Sequence, residues 1–179
     1  MIFVRHAPVH AQGLCYGHFD PPVQMSHEHA AHQVLERLSE PGIQKVLSSP
    51  AGRCRGLALI LAQRIGVPYA EDERLAELHQ GQWEGRLWLD IEQQEPQALA
   101  RWMKSWEREG PPGGESAQQL ADRVRSYLTD HGDTHHLVVG HAGWIRAAWV
   151  LLEGLSWQEA MNRTVPHLAP IQLPVYLNL

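Results

Sequence analysis

Apolar residues in this chain fall into a few short unbroken runs, with stretches of helical period between them. Residues 1–4, 45–48 and 137–140 are compact apolar runs that read as buried strands, and 67–71 reads as a further strand. Residues 7–25 carry Pro8, Gly13, Gly17, Pro21 and Pro22 and form a long loop. Ser26 is the expected N-cap of a helix reaching about residue 39, with Ala30, Val34, Leu35 and Leu38 on its apolar side and Pro41-Gly42 stopping it. The stretch 51–65 sets Leu57, Leu61 and Ile65 at helical spacing and is closed by Gly66. Residues 74–86 follow no clear period. Residues 87–109 read as helix with a break at Pro96, and 110–114 as a turn. Residues 115–130 and 144–152 read as two more helices, and 170–179 as one or two edge strands. Strands alternating with helices imply an α/β fold: a three-layer α/β/α arrangement, its sheet mostly parallel with helices on both faces. With no repeat, low-complexity tract or linker, one domain over 1–179 is expected.

Composition narrows the function classes. The chain has 179 residues, 44% of them hydrophobic and 20% charged, as in an ordinary soluble domain. A net charge of -5 argues against a nucleic-acid binder, which would present a basic surface. No apolar run is long enough to span a bilayer, and Arg5 and His6 interrupt the N-terminal run too early for a signal peptide. Cys15 and Cys54 have no disulfide-framework or metal-site spacing, so two reduced thiols in a cytoplasmic protein are expected.

Three of the strand runs end in residues suited to phosphate. His6 follows Arg5 at the end of the first. A neutral imidazole can attack phosphorus and carry the phosphoryl group, and an arginine presents a fork of donors matching phosphate oxygens. Alone, the pair is a weak signal, and a structural histidine is the better reading of it. Ser48-Ser49-Pro50-Ala51-Gly52-Arg53 puts an arginine in the first turn of a helix, where backbone amides also favour anions. Val139-Gly140-His141-Ala142-Gly143 delivers a second histidine among small residues, where it can donate to a phosphoryl oxygen. Chemistry in open α/β sheets collects at the carboxyl ends of strands. A phosphomonoester also needs a proton for its leaving oxygen. Glu77 is the candidate acid, since bound phosphate would raise its pKa by like charge, and Glu84 is the structural alternative, bracing the turn at Gly85.

In this order, Arg5-His6, Ser48-Ser49-Pro50 leading to Arg53, Glu77 with Gly81-Gln82-Trp83-Glu84-Gly85, Gly114-Glu115-Ser116 and Gly140-His141-Ala142-Gly143 resemble the histidine phosphatase superfamily, the phosphoglycerate mutase-like proteins. The resemblance implies His6 as the phosphorylated nucleophile. It implies Arg5, Arg53 and His141 as the phosphate pocket, Glu77 as proton donor, and no metal or organic cofactor. The loop Gly13-Leu14-Cys15-Tyr16-Gly17-His18-Phe19-Asp20 looks like the short first loop of the α-ribazole phosphatase-like branch, which acts in cobalamin synthesis. Tyr16, Gly17 and Ala142 are then the expected substrate-loop contacts. The usual Arg-His-Gly start is here Arg5-His6-Ala7-Pro8, and Pro8 removes one N–H donor.

The expected activity is hydrolysis of a small phosphorylated metabolite through a phosphohistidine, with α-ribazole 5′-phosphate as a named candidate. A mutase must shield its phosphoenzyme with extra segments, and the shortness of this chain favours hydrolysis; a non-catalytic phospholigand-binding module on the same fold is the third reading. A homodimer is left open. His27-Glu28-His29-Ala30-Ala31-His32 misses the zinc-helix spacing because Ala31 occupies the second histidine slot, and a solvated face is expected there. His135-His136 are expected in a loop, and Trp88, Trp102 and Trp106 in packing.

Overall fold

The computed structural model describes residues 1–39, 42–131 and 134–173. Pro41 and residues 174–179 lie outside these, so the stop at Pro41 and any strand beyond residue 173 are not addressed. Five strands form one sheet: β1 (Ile2–Arg5), β2 (Lys45–Ser48), β3 (Tyr69–Glu71), β4 (His136–Gly140) and β5 (Pro170–Gln172), in the order β3-β2-β4-β1-β5. The first four are mutually parallel, and β5 runs antiparallel on the edge of β1. Pro170 sits on that edge strand, where a missing N–H does least harm.

Alternation along the central strands builds two cores. Ile2, Val4, Val46, Leu137 and Val139 point to one face, where α1 (His27–Arg37) and α2 (Gly52–Ile65) bury Ala30, Val34, Leu57 and Leu61. Phe3, Leu47 and Val138 point to the other face, against α5 (Ala117–His131) and α6 (Ala142–Glu153). Phe3 stacks on Trp144 there at 4.5 Å. Strands covered on both faces read as continuous apolar runs, which is why the sequence shows them so plainly.

Helix signals act where expected. The Ser26 hydroxyl accepts from the N–H of His29, and Gly66 closes α2 in the left-handed conformation at φ 80°. The segment expected over 87–109 is two helices, α3 (Trp88–Gln94) and α4 (Pro96–Ser105), parted at Glu95. Pro96 takes the first helical position of α4, where it has no N–H to lose. The second helix ends at Ser105, and the turn after it has the N–H groups of Arg108 and Glu109 both donating to the carbonyl of Ser105. His136, expected in a loop, is the first residue of β4 and pairs with Lys45. A last short helix, α7 (Trp157–Asn162), carries a capping box from Ser156 and Glu159. Residues 74–86 contain two single helical turns, Glu73–Leu75 and Gly81–Trp83. Trp83, Trp88 and Trp102 pack together over Cys15 and Ile91 as a third, smaller cluster.

Candidate active site

The three strands that carry the candidate residues, β2, β4 and β1, are neighbours in the middle of the sheet and end together. Arg5 pairs with Gly140, the N–H of His6 donates to Gly140 O at 3.0 Å, and the N–H of Ser49 donates to Val139 O at 3.1 Å. Parallel register alone therefore brings His6, Ser49 and His141 to one point. The rings of His6 and His141 meet edge to face, 5.3 Å apart. His6, Ser49, Arg53 and His141 are all buried.

The protonation of both histidines follows from their partners. His6 Nδ1–H donates to Ala7 O at 2.7 Å, leaving Nε2 as the free lone pair, with no hydrogen-bond partner among the described residues. Burial, then the guanidinium of Arg53 and that of Arg5, push its pKa well below 6.5, so the ring is neutral in ordinary buffer. His141 Nδ1 accepts from Arg53 Nη2 at 3.3 Å, and its Nε2–H is then placed to donate to Ser49 Oγ at 2.8 Å. Burial and the facing His6 lower its pKa strongly as well. The donation expected from His141 to a phosphoryl oxygen thus competes with an existing bond to Ser49.

Arg53 differs from the sequence expectation in which edge it offers. Its Nη1 donates to Phe19 O at 3.0 Å and Asp20 Oδ1 at 2.8 Å, and its Nη2 to Gly17 O at 2.6 Å. The fork is therefore spent on the first loop. The start of α2 is likewise taken by the chain's own Asp20 carboxylate, which accepts from the N–H of Gly52 at 2.7 Å. What remains on Arg53 is its Nε–H, buried and without a partner, and Arg5 Nε is in the same condition. Two guanidinium donors, on the two arginines whose charge depresses His6, are thus left without a partner among the described residues.

Glu77 hangs over this pocket from the segment between β3 and α3. Its Oε2 accepts from Gly143 N at 3.1 Å and its Oε1 from Leu78 N at 2.9 Å. A Cβ at position 143 would run into the Glu77 carboxylate, so the glycine is what admits it. Arg123 on α5 fixes the segment by donating to the carbonyls of Arg74, Ala76 and Glu77. The Tyr16 ring faces the Arg53 guanidinium at 5.5 Å. Ala142, the first residue of α6, is buried. A cleft of about 410 Å³ opens from Ser49 and Glu77 towards His18, Asp20, Arg55 and Glu73.

Three participants escaped the sequence reading, Asp20, Arg146 and His167, and a fourth does more than it expected. Glu84, expected to brace only the turn at Gly85, accepts from the N–H groups of Gly17, His18, Phe19 and Gln80 at 2.7–2.9 Å. Burial alone would raise its pKa, but these four donors hold it below the usual carboxylate range. Asp20 anchors Arg53. Arg146 on α6 lies in the field of Arg5 with its Nε buried and unpaired. His167 contacts His6 directly, through Nδ1 to His6 O at 2.5 Å. Two of the three histidines of α1 are occupied locally, His32 with Glu36 and His29 with Gln33, while His27 Nδ1 is buried without a hydrogen-bond partner.

Comparison with known proteins agrees with this picture. The sequence profile of the histidine phosphatase superfamily (branch 1) matches residues 1–173. A relative from Serratia proteamaculans (strain 568), named "Probable phosphoglycerate mutase GpmB", is 36% identical over 127 residues. That match covers 70% of this chain and 59% of the relative, so the chain spans about three fifths of that protein's length. Among solved structures, the α-ribazole phosphatase from Shigella flexneri superposes with a TM-score of 0.83 at 23% identity, covering 94% of this chain and 87% of that one. A mycobacterial glucosyl-3-phosphoglycerate phosphatase gives a TM-score of 0.75 at 23% identity, covering 89% and 82%.

Proposed function

Since the chain belongs to the histidine phosphatase superfamily (branch 1), we propose that it hydrolyses small phosphorylated metabolites through a phosphohistidine at His6. The observation that carries this reading is the pairing of a neutral His6, its Nε2 free, with the buried unpartnered Nε–H groups of Arg5 and Arg53. In the first step His6 Nε2 attacks phosphorus and the bond from phosphorus to the leaving oxygen breaks. Arg5 and Arg53 take the charge on the non-bridging oxygens, and the Glu77 carboxyl gives its proton to the leaving alkoxide. In the second step water attacks the phosphohistidine, the Glu77 carboxylate takes a proton from it, and inorganic phosphate leaves with His6 restored.

Hydrolysis is favoured over mutase chemistry by the openness of the rim. His18, Phe19 and Asp20 are exposed at the cleft, so water has access to a phosphoenzyme there. The finer substrate we propose is α-ribazole 5′-phosphate, supported by the first-loop pattern at residues 13–20 and the likeness in fold to the Shigella flexneri phosphatase. The deciding assay is turnover of a chromogenic phosphomonoester with and without a chelator, followed by a panel of phosphorylated metabolites that includes this one. Turnover unaffected by the chelator is expected. Turnover lost only with the chelator would mean metal hydrolysis, and none at all would mean a binding module.

A further inference from the structure

The segment joining α7 to β5 grips the end of β1. Arg5 Nη1 donates to Val165 O at 2.8 Å, Leu168 N to Arg5 O at 3.0 Å, and His167 Nδ1–H to His6 O at 2.5 Å. From α1, Arg37 Nη1 holds Leu168 O at 3.3 Å. Leu168 has φ 57°, the one left-handed non-glycine residue among those described. Such a conformation is strained for a residue with a side chain and persists only where the surroundings impose it. Here Leu168 is buried in the core on the α1 and α2 side, and the residue before it, His167, lies against His6. The two rings stand edge to face at 5.5 Å.

The sheet ladder stops holding β1 at His6 N, which is bonded to Gly140 O. The next two carbonyls are the ones that matter for the nucleophile. Ala7 O orients the His6 ring through Nδ1, and His6 O belongs to the peptide group just before it. We propose that His167 is a positioning residue: by bonding His6 O it fixes the 6–7 peptide, and through it the direction in which His6 Nε2 meets phosphorus. This rests on the reading of His6 as nucleophile. Because the acceptor is a carbonyl, Nδ1 must carry the proton; that bond favours the charged ring, but burial outweighs it and lowers the pKa, towards the neutral form. The imidazole of His167 therefore acts through one N–H, not through its charge.

Asparagine puts an amide N–H where His Nδ1–H stands, and glutamine puts one where Nε2 stands, so the two separate this role from any other. The measurement is kcat, KM and the single-turnover rate of phosphohistidine formation for the wild type, His167→Ala, His167→Asn and His167→Gln, with thermal unfolding recorded for each. His167→Ala is expected to lower kcat and phosphorylation about 10- to 100-fold, the scale of an ångström-level misplacement, with KM within about twofold. His167→Asn should recover most of that loss and His167→Gln should not. Rescue by glutamine but not asparagine would overturn the proposal, as would a loss confined to KM or wild-type turnover in all three variants. A wild type that forms no phosphohistidine would instead overturn the reading of His6, a separate outcome.

Discussion

The two halves of the site are held in place by different means. The phosphate half, His6, Ser49 and His141, is set by the register of three adjacent parallel strands, and every member is buried. The leaving-group half, the loop at 16–20 and the segment around Glu77, has no strand beneath it. It is held by side chains reaching far along the chain: Glu84 collects the amides of residues 17–19, Arg123 collects the carbonyls of 74, 76 and 77, and Arg53 joins loop to pocket. The carboxyl ends of the strands supply rigidity where the proposed nucleophile stands. Charged braces supply it where the cleft opens.

Removing the nucleophile breaks the comparison most severely. His6→Ala should reduce turnover by roughly 10⁴-fold or more while the leaving-group half stays intact, as judged by unchanged thermal unfolding and retained phosphate binding. Near-normal activity in that variant would contradict the nucleophile assignment. Glu77→Gln acts on the other half alone. Esters with poor leaving groups should slow by about 10²- to 10⁴-fold, and activated nitrophenyl esters much less. Equal losses for both would take Glu77 out of the acid role.

Glu84→Ala tests the brace. Four backbone amides lose their acceptor, and a stability loss on the order of 2–3 kcal/mol in urea unfolding is expected. Because Gly17 O and Phe19 O both hold Arg53, kcat/KM should fall roughly tenfold with them, equivalent to about 1.4 kcal/mol. A variant with unchanged kcat/KM would show that the loop needs no carboxylate.

The smallest effect expected is the pH dependence of stability. His6, His141, His136 and His167 all titrate below 6.5 in the folded chain because burial disfavours their cations. Unfolded, they would titrate near 6.5 and bind more protons than the native state does. Stability should therefore be undiminished above about pH 7 and should fall as pH drops from about 6.5 towards 5. A denaturation midpoint that holds constant or rises over that window would mean the imidazoles are not buried as neutral bases.

The same division explains what could be read from the sequence. The sheet and the place where its candidate residues meet were legible because buried parallel strands write themselves as unbroken apolar runs, and the candidates stand at their ends: Arg5-His6, Ser48-Ser49, Gly140-His141. The leaving-group half was legible only in part. Glu77, Arg53, Glu84 and Asp20 all stood in quoted motifs, but the partners of Asp20, Glu84 and His167 lie 33, 65–67 and 161 positions away, and no local pattern marks such partners. Residues 74–86 showed no period because their shape is set by Arg123 from α5, not by their own alternation. The break at Glu95 and Pro96 was visible since proline punctuates locally, but no sequence rule supplies the early end of α4 at Ser105.

The most direct test is to mix enzyme with a phosphomonoester, quench in alkali within the first turnover, where phosphohistidine survives, and locate the phosphate by peptide mass spectrometry. Phosphate on His6 alone, vanishing as product phosphate appears, is the predicted result. Steady hydrolysis with no covalent phosphate, or phosphate on another residue, would contradict the account.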